Sequence, residues 1–255
     1  MEHKKFMIEL LSSTREELSE LFFQMGIRSV HVKPFMKALH EGRESLDVFL
    51  SSSPKAFLPL ASLVIGEEPS IASWEHSYED KSCKFILNLS DGSEIESVLI
   101  PEKGRLTLCV SSQVGCAQKC TFCYTGKMGL KRNLSANEIL AQVRVVNRWI
   151  YGNQNFLKAY DSIKVTNVVF MGMGEPLDNV GAVTRAVKLL KDPWAYAIAP
   201  RRITVSTAGH LEGLRDFIKK GLAVSLALSL HAPNNSLRSR LMPISKKNVL
   251  DEILS

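Results

Sequence analysis

From residue 106 onward the chain alternates between short apolar runs and amphipathic helical stretches, and no other feature limits its fold so strongly. Strand-like runs fall at 106–110, 165–171, 203–206 and 224–230, with helix-like runs at about 135–151, 179–192 and 210–220. The first of these helices opens on Ser135-x-x-Glu138, a capping box, and continues through Ile139, Leu140, Val143 and Val146. Strand–helix alternation with near-continuous apolar strands predicts a parallel sheet with helices packed outside it, an α/β fold. Such folds place ligands at the C-terminal ends of their strands. Each strand after the first ends in residues that a sheet core does not need: Gly172-Met173-Gly174-Glu175-Pro176, Ser206-Thr207-Ala208-Gly209-His210 and Ser229-Leu230-His231-Ala232-Pro233. Singly, each has a bland explanation, as a glycine turn, a helix-capping serine or a satisfied histidine. Jointly they predict a small molecule bound along one rim.

A cysteine loop faces that rim. Cys116, Cys120 and Cys123 form a C-x3-C-x2-C run with Phe122 just before the last. Thiolates this close suit a metal or an iron–sulfur cluster better than disulfides. Three of them can hold three irons of a [4Fe–4S] cluster and leave the fourth iron open, whereas a closed electron-transfer cluster takes four. Zinc is the competitor, with a fourth ligand from Cys109, His210 or His231. Buried free cysteines are the third reading.

The chain's 255 residues, 45% of them hydrophobic, suffice for one main domain with an appendage. No apolar run approaches membrane-spanning length and the first residues lead into no signal-like stretch, so the expectation is a cytoplasmic protein without membrane association. The net charge of +6 is unevenly spread. Residues 1–100 hold 10 Lys and Arg against 16 Asp and Glu, and residues 101–255 hold 22 against 10. The cysteine-bearing part is the basic part. A positive field there favours a polyanionic substrate such as RNA, with an ordinary mixed-charge surface as the alternative.

Residues 6–72 read as short helices. Ser13-Thr14-Arg15-Glu16-Glu17 offers capping, Leu18, Leu21, Phe22 and Met25 recur at helical spacing, and Gly26 ends the run. Pro34 suits a first helical turn, while Pro54, Pro59 and Pro69 break up the next apolar stretch. Residues 84–100 read as a hairpin about Asp91-Gly92, a two-residue turn signal, with Glu96 on its second strand. Cys83 is left over and is taken as structural. The predicted division is a helical accessory domain at 1–80, a β-hairpin connection at 81–104 and the main α/β core at 105–255.

The cysteine run resembles the C-x3-C-x-aromatic-C motif of the radical S-adenosylmethionine (SAM) enzymes. Cys109-Val-Ser-Ser-Gln-Val-Gly-Cys116 further resembles the RlmN/Cfr family of rRNA adenine methyltransferases, which carry an extra cysteine seven residues before the cluster. The likeness runs from about Phe85 to the C-terminus and, more weakly, through the N-terminal helices. It implies a partial (β/α)6 barrel with a [4Fe–4S] cluster on Cys116, Cys120 and Cys123. It assigns SAM to Gly174, Glu175, Ser206, Ser229, Leu230 and His231. Glu175 would accept from the SAM amine, and the glycines would let the backbone approach. Glu96, in Glu96-Ser-Val-Leu-Ile100-Pro101, matches the family's proton acceptor. Cys109 matches the thiol that resolves a methylated cysteine by forming a disulfide.

The resemblance further implies methylation of an adenine ring carbon, carbon 2 ahead of carbon 8, in 23S rRNA, with tRNA as a second substrate. One SAM methylates a carrier cysteine, and another, cleaved by an electron, yields a radical that activates the new methyl group. A reducing flavodoxin or ferredoxin-like protein would supply that electron. Only four core strands are legible, and the carrier cysteine and a SAM-contacting asparagine have no counterpart. The expectation is therefore a fragment, a degenerate product, or a half completed by another chain, unable to methylate RNA alone. Two alternatives stay open: another radical SAM enzyme acting on a smaller substrate, and a zinc-stabilised RNA-binding remnant without catalysis.

Overall fold

The computed structural model describes residues 9–52, 67–154 and 162–255, together with residues 55, 57 and 60. Its strands are β1 (Ser70–His76), β2 (Cys83–Asn88), β3 (Glu94–Glu102), β4 (Arg105–Cys109), β5 (Gln113–Gly115), β6 (Leu130–Asn133), β7 (Asn167–Phe170), β8 (Ile203–Thr207) and β9 (Ser225–Leu228). Seven of them form one mixed sheet in the order β1-β2-β3-β4-β7-β8-β9, and β5 pairs with β6 apart from it. Strands β1 to β4 run antiparallel, while β4, β7, β8 and β9 are mutually parallel. The helices are α1 (Arg15–Gln24), α2 (Val32–Glu41), α3 (Leu46–Ser52), α4 (Tyr124–Met128), α5 (Ala136–Gly152), α6 (Val180–Lys191), α7 (Leu211–Lys219), α8 (Asn235–Leu241) and α9 (Leu250–Leu254). The predicted α/β architecture with four parallel strands is present.

Local chemistry explains most boundaries. Thr14 and Glu17 form a complete capping box on α1, as Ser135 and Glu138 do on α5. Gly26, at φ +70°, turns the chain away after α1. The hairpin turn is longer than the two residues expected. Asn88 pairs with Glu94, and the Leu89 N–H donates to Ser93 O at 2.8 Å, so Gly92 serves as the left-handed residue of a wider loop. Strand β1 was not expected. Its residues are mostly exposed and carry no alternation, and it is held by pairing with β2 and by Trp74 stacking edge-on to Trp149 at 5.0 Å. Pro54 and Pro59 lie outside the described residues.

The strands are not buried on both faces. Leu99, Leu108, Val168 and Ile203 are register partners across four strands and are wholly buried on the face toward the helices. The alternate row, Val98, Cys109, Val169 and Thr204, is only half-buried. Two-residue periodicity sends successive side chains to opposite faces, so the sheet has one packed face and one open face.

Helix α5 lies between the packed face and the N-terminal helices, and is buried almost all round. It therefore buries polar groups, each of which finds a partner. Asn137 Oδ1 accepts the Leu11 N–H at 3.1 Å, and Asn147 Oδ1 accepts the Val165 N–H at 2.8 Å. Arg144 reaches the carbonyls of Leu39 and Glu44 and lies 2.9 Å from the carboxylate of Glu68, with both side chains under a tenth exposed. Burial pulls the Arg144 pKa down, and Glu68 counters it.

Removing one partner of such a pair strands a buried charge, at a cost of about 3–5 kcal/mol. Glu68→Gln is expected to lower the urea midpoint by a corresponding amount. Glu41→Gln, which removes an exposed pair with Arg43, is expected to leave the midpoint where it is. Equal midpoints for the two variants would contradict this reading of Arg144.

Candidate active site

Register brings together residues that stand far apart in sequence. Cys109 pairs with Val98, so Glu96, two residues along β3, shares its face of the sheet. Val169 pairs with both Cys109 and Thr204, which puts Ser206 on that face too. Glu96, Cys109 and Ser206 thus all project from the open side. Lys84 joins them on β2, with its Nζ 2.7 Å from Glu96 Oε1 and both side chains nearly half exposed. The Ser206 hydroxyl donates to the Phe170 carbonyl at 2.6 Å, where β7 ends. Burial pushes the Cys109 thiol up to about 11, so it is protonated at neutral pH.

Beyond β4 and β7 the regular ladder ends: the Ser112 and Gln113 N–H groups both donate to the Met173 carbonyl, and side chains supply the rest of the bonding. Gln142 of α5 accepts the Ser111 N–H at 2.8 Å and donates to the Ser111 carbonyl at 2.9 Å, while Ser97 Oγ donates to the same amide oxygen. Ser111 Oγ donates to Glu96 O at 2.6 Å and accepts the Met173 N–H at 2.9 Å. Gln113 Oε1 accepts the Glu175 N–H at 2.8 Å. Asn179 Nδ2 donates to the carbonyls of Ser112 and Leu134. The Ser-Ser-Gln segment before the cysteines and the Gly-Met-Gly-Glu segment after β7 therefore clasp each other. At Gly174, φ +102°, an added Cβ would lie 2.6 Å from Gln113 Cβ, so this position needs glycine for both torsion and space.

Glu175 is buried at this clasp. One carboxylate oxygen accepts the Leu177 N–H at 3.0 Å and the other the Ala208 N–H at 2.7 Å, which ties β8 to the β7 loop. Burial nevertheless raises its pKa above the ordinary 4.5 and outweighs these bonds. Each oxygen keeps a lone pair for a further donor.

The cysteine loop closes over the strand ends. The Cys116 N–H donates to Gly129 O at 3.1 Å, Gln118 Nε2 to Asp178 Oδ2 at 2.7 Å, and the Thr121 N–H to Leu241 O at 2.9 Å. The Phe122 ring rests on His231, with centroids 4.5 Å apart. His231 holds φ +54° at the turn after β9. Cys116 is buried, while Cys120 and Cys123 are half-buried. Burial pushes the Cys116 thiol up to about 11 and that of Cys120 upward as well. An iron centre that takes up thiolates would remove this cost.

Among the described residues no three of His, Cys, Asp and Glu converge on a point that one ion could occupy. His210 caps α7 through its Nδ1, and His231 faces Phe122. Three soft thiols within eight residues are a donor set that suits an iron–sulfur cluster. The rim also buries the Ser112 hydroxyl without a hydrogen-bond partner among the described residues. All five cysteines are free thiols, and Cys83 is buried within β2, where burial pushes its thiol to about 11.

Sequence reasoning missed several residues of the rim. Gln142 stands among Ile139, Val143 and Val146 on the apolar face of α5, and a polar residue there was the available signal. Arg238 of α8 is fully buried and donates to the carbonyls of Ala208, Ser229 and Leu230, holding the turn after β9. No local pattern marked it.

Comparison with known proteins shows what the chain as a whole is similar to. The radical SAM superfamily matches over residues 110–254. A protein named dual-specificity RNA methyltransferase RlmN, from Vesicomyosocius okutanii subsp. Calyptogena okutanii (strain HA), is 39% identical over 246 residues. That alignment covers 96% of this chain and 66% of the relative, so the chain spans just under two thirds of that protein's length. The crystal structure of a radical SAM methyltransferase from Sphaerobacter thermophilus superposes with a TM-score of 0.85 at 33% identity, covering 96% of this chain and 70% of that one.

Two outcomes test the clasp. Gln142→Leu leaves the Ser111 N–H and the Ser97 hydroxyl unpaired in the interior, so a loss of about 1–3 kcal/mol per group is expected in thermal unfolding. Glu175 gives a pH signature. Because its folded pKa is raised, the native state holds a proton that the unfolded chain has lost once the pH passes 4.5. Native stability should fall as pH rises through that window, up to the folded value, and should be greatest below it. Glu175→Gln should lack this component, as seen by urea midpoints in mildly acidic and neutral buffer.

Proposed function

We propose that this chain, which belongs to the radical SAM superfamily, is of the RlmN/Cfr type and forms the cofactor-binding part of an RNA methyltransferase. The target in this reading is an adenine ring carbon, carbon 2 first, in 23S rRNA, with tRNA as a second substrate. The observation that carries it is the shared open face of Glu96, Cys109 and Ser206 beneath a three-cysteine loop. The family's cofactors are a [4Fe–4S] cluster and SAM.

Cys116, Cys120 and Cys123 would hold three irons and leave one for SAM. Gly174, Glu175, Ser206, Ser229, Leu230 and His231 would line the SAM site along the strand ends. When bound, the cluster and SAM supply one-electron carbon chemistry, which reaches a ring carbon closed to polar methylation. The protein's own part is to orient, to exclude water and to handle protons. Glu96 takes the ring proton, with Lys84 at 2.7 Å fixing the carboxylate toward the open face. Cys109 keeps its thiol proton until a sulfur partner arrives, because its burial disfavours the thiolate. The carrier cysteine that it would resolve has no counterpart in these 255 residues, whose last cysteine is Cys123.

Residues 101–255, which carry the cysteine loop, hold 22 Lys and Arg against 10 Asp and Glu, a balance that suits an RNA backbone. We assign an accessory role to the helical residues 1–80, connection to 81–104 and cofactor chemistry to 105–255. A flavodoxin or ferredoxin-like donor would deliver the electron. No helix among the described residues is long and apolar enough to cross a membrane, and a cytoplasmic location is proposed with that.

Anaerobic reconstitution tests the assignment. The chain should take up iron and sulfide and turn brown, and alanine at Cys116, Cys120 or Cys123 should abolish the colour and dithionite-driven SAM cleavage. A protein holding one zinc and no sulfide would sink it. Labelled methyl from SAM appearing in adenosine of large-subunit rRNA, once a C-terminal segment with the carrier cysteine is added, tests the transfer itself. The chain alone should give none.

A further inference from the structure

Two arginines of this chain are fully buried, Arg144 and Arg238. Arg144 has an acid, Glu68, at 2.9 Å. Arg238 has none among the described residues. Its four hydrogen bonds go to neutral acceptors: Leu230 O at 3.1 Å, Ser245 Oγ at 2.5 Å, Ala208 O at 2.6 Å and Ser229 O at 3.0 Å. A guanidinium has five N–H donors, so one is left over. A desolvated cation without a counter-anion is costly, and the cost is not repaid within the protein.

Its position suggests what would repay it. Helix α8, which carries Arg238, receives the Thr121 N–H at Leu241 O, one turn further on. The turn bearing Cys120 and Cys123 therefore rests on this helix. Phe122, in the same turn, lies on His231, next to the carbonyls that Arg238 holds. Burial lowers the pKa of Arg238, and the ionisable group that offsets this is Cys120.

We infer that Arg238 is the built-in counter-charge of the three-cysteine site, a positioning residue that balances a thiolate-ligated cluster and eases its one-electron reduction. The inference rests on the cluster assignment above. Three thiolates make such a cluster net negative, and reduction adds one more negative charge. Net charge and hydrogen bonding set the potentials of these centres. A fixed cation in a low-dielectric setting favours the more negative state, and it opposes the buried Glu175 carboxyl, which is held by the N–H of the same Ala208 whose carbonyl Arg238 binds.

The test neutralises the charge without removing the side chain. Ser245→Asp places an acid where Arg238 already donates, and Ser245→Asn is its uncharged match. The midpoint potential of each reconstituted variant is read by electron paramagnetic resonance, with dithionite and viologen mediators. Ser245→Asp is expected to lower the reduced-to-oxidised ratio at fixed poise about tenfold against Ser245→Asn, a shift of about 59 mV for one electron. Arg238→Gln should shift the same way, and Arg238→Lys should restore the potential. Should Arg238→Gln fail to fold, the Ser245 pair alone decides. Equal potentials for Ser245→Asp and Ser245→Asn overturn the inference and leave the cluster assignment standing. A wild-type chain that takes up no iron and sulfide overturns both.

Discussion

The side-chain amide of Gln142, bonded to both the N–H and the carbonyl of Ser111, is the interaction on which the rim depends. The backbones that continue β4 and β7 stay bonded irregularly, through Val110, Gly172 and the Met173 carbonyl, and lose the regular ladder as they form loops. Backbone groups exposed by that loss must be satisfied or the loops cannot be buried. Gln142 and Ser111 satisfy them, and Gln113 and Asn179 extend the same device to Glu175 and to the segment before α5. The cysteine loop therefore leaves a firmly bonded base, with Cys116 buried and Cys120 and Cys123 half-buried near the strand ends. A site held to sub-ångström tolerance needs such support from neighbouring elements.

The same braid explains why one face of the sheet can stay open. Apolar burial is concentrated on one side, where Leu99, Leu108, Val168 and Ile203 share a core with the apolar residues of α5, α6 and α7. The N-terminal helices cover the outer side of α5 through Asn137, Arg144 and the ring of His40, which stacks on Tyr196. With stability supplied there, the opposite face is free to carry Lys84, Glu96, Cys109 and Ser206, which add little to packing. The two buried arginines mark the two regimes. Arg144 is compensated inside the protein and braces the fold, whereas Arg238 faces the site and is left with neutral partners.

Much of this was legible in the sequence because the signals were local. The capping boxes at Thr14 and Ser135 and the glycine after α1 act within four residues, so spacing alone reports them. The three thiols fall within eight residues, and their softness and spacing point to a metal or iron–sulfur site without a fold. Strand–helix alternation from residue 106 sufficed for the parallel sheet and for placing three polar loops on one rim.

Tertiary structure alone decided which residues meet. That Glu96 and Cys109 share a face follows from the pairing of Val98 with Cys109, and a slip of one residue would have sent them to opposite sides. Strand β1 was invisible because its stability comes from β2 and Trp149, not from its own pattern. Gln142 and Arg238 act on partners 31 and 30 residues away, across elements whose packing no window of sequence contains. The chain's own residues thus determined the elements and the chemistry each could offer. The register of the sheet and the burial of polar side chains decided how that chemistry is assembled, because both depend on contacts formed only when the whole core closes.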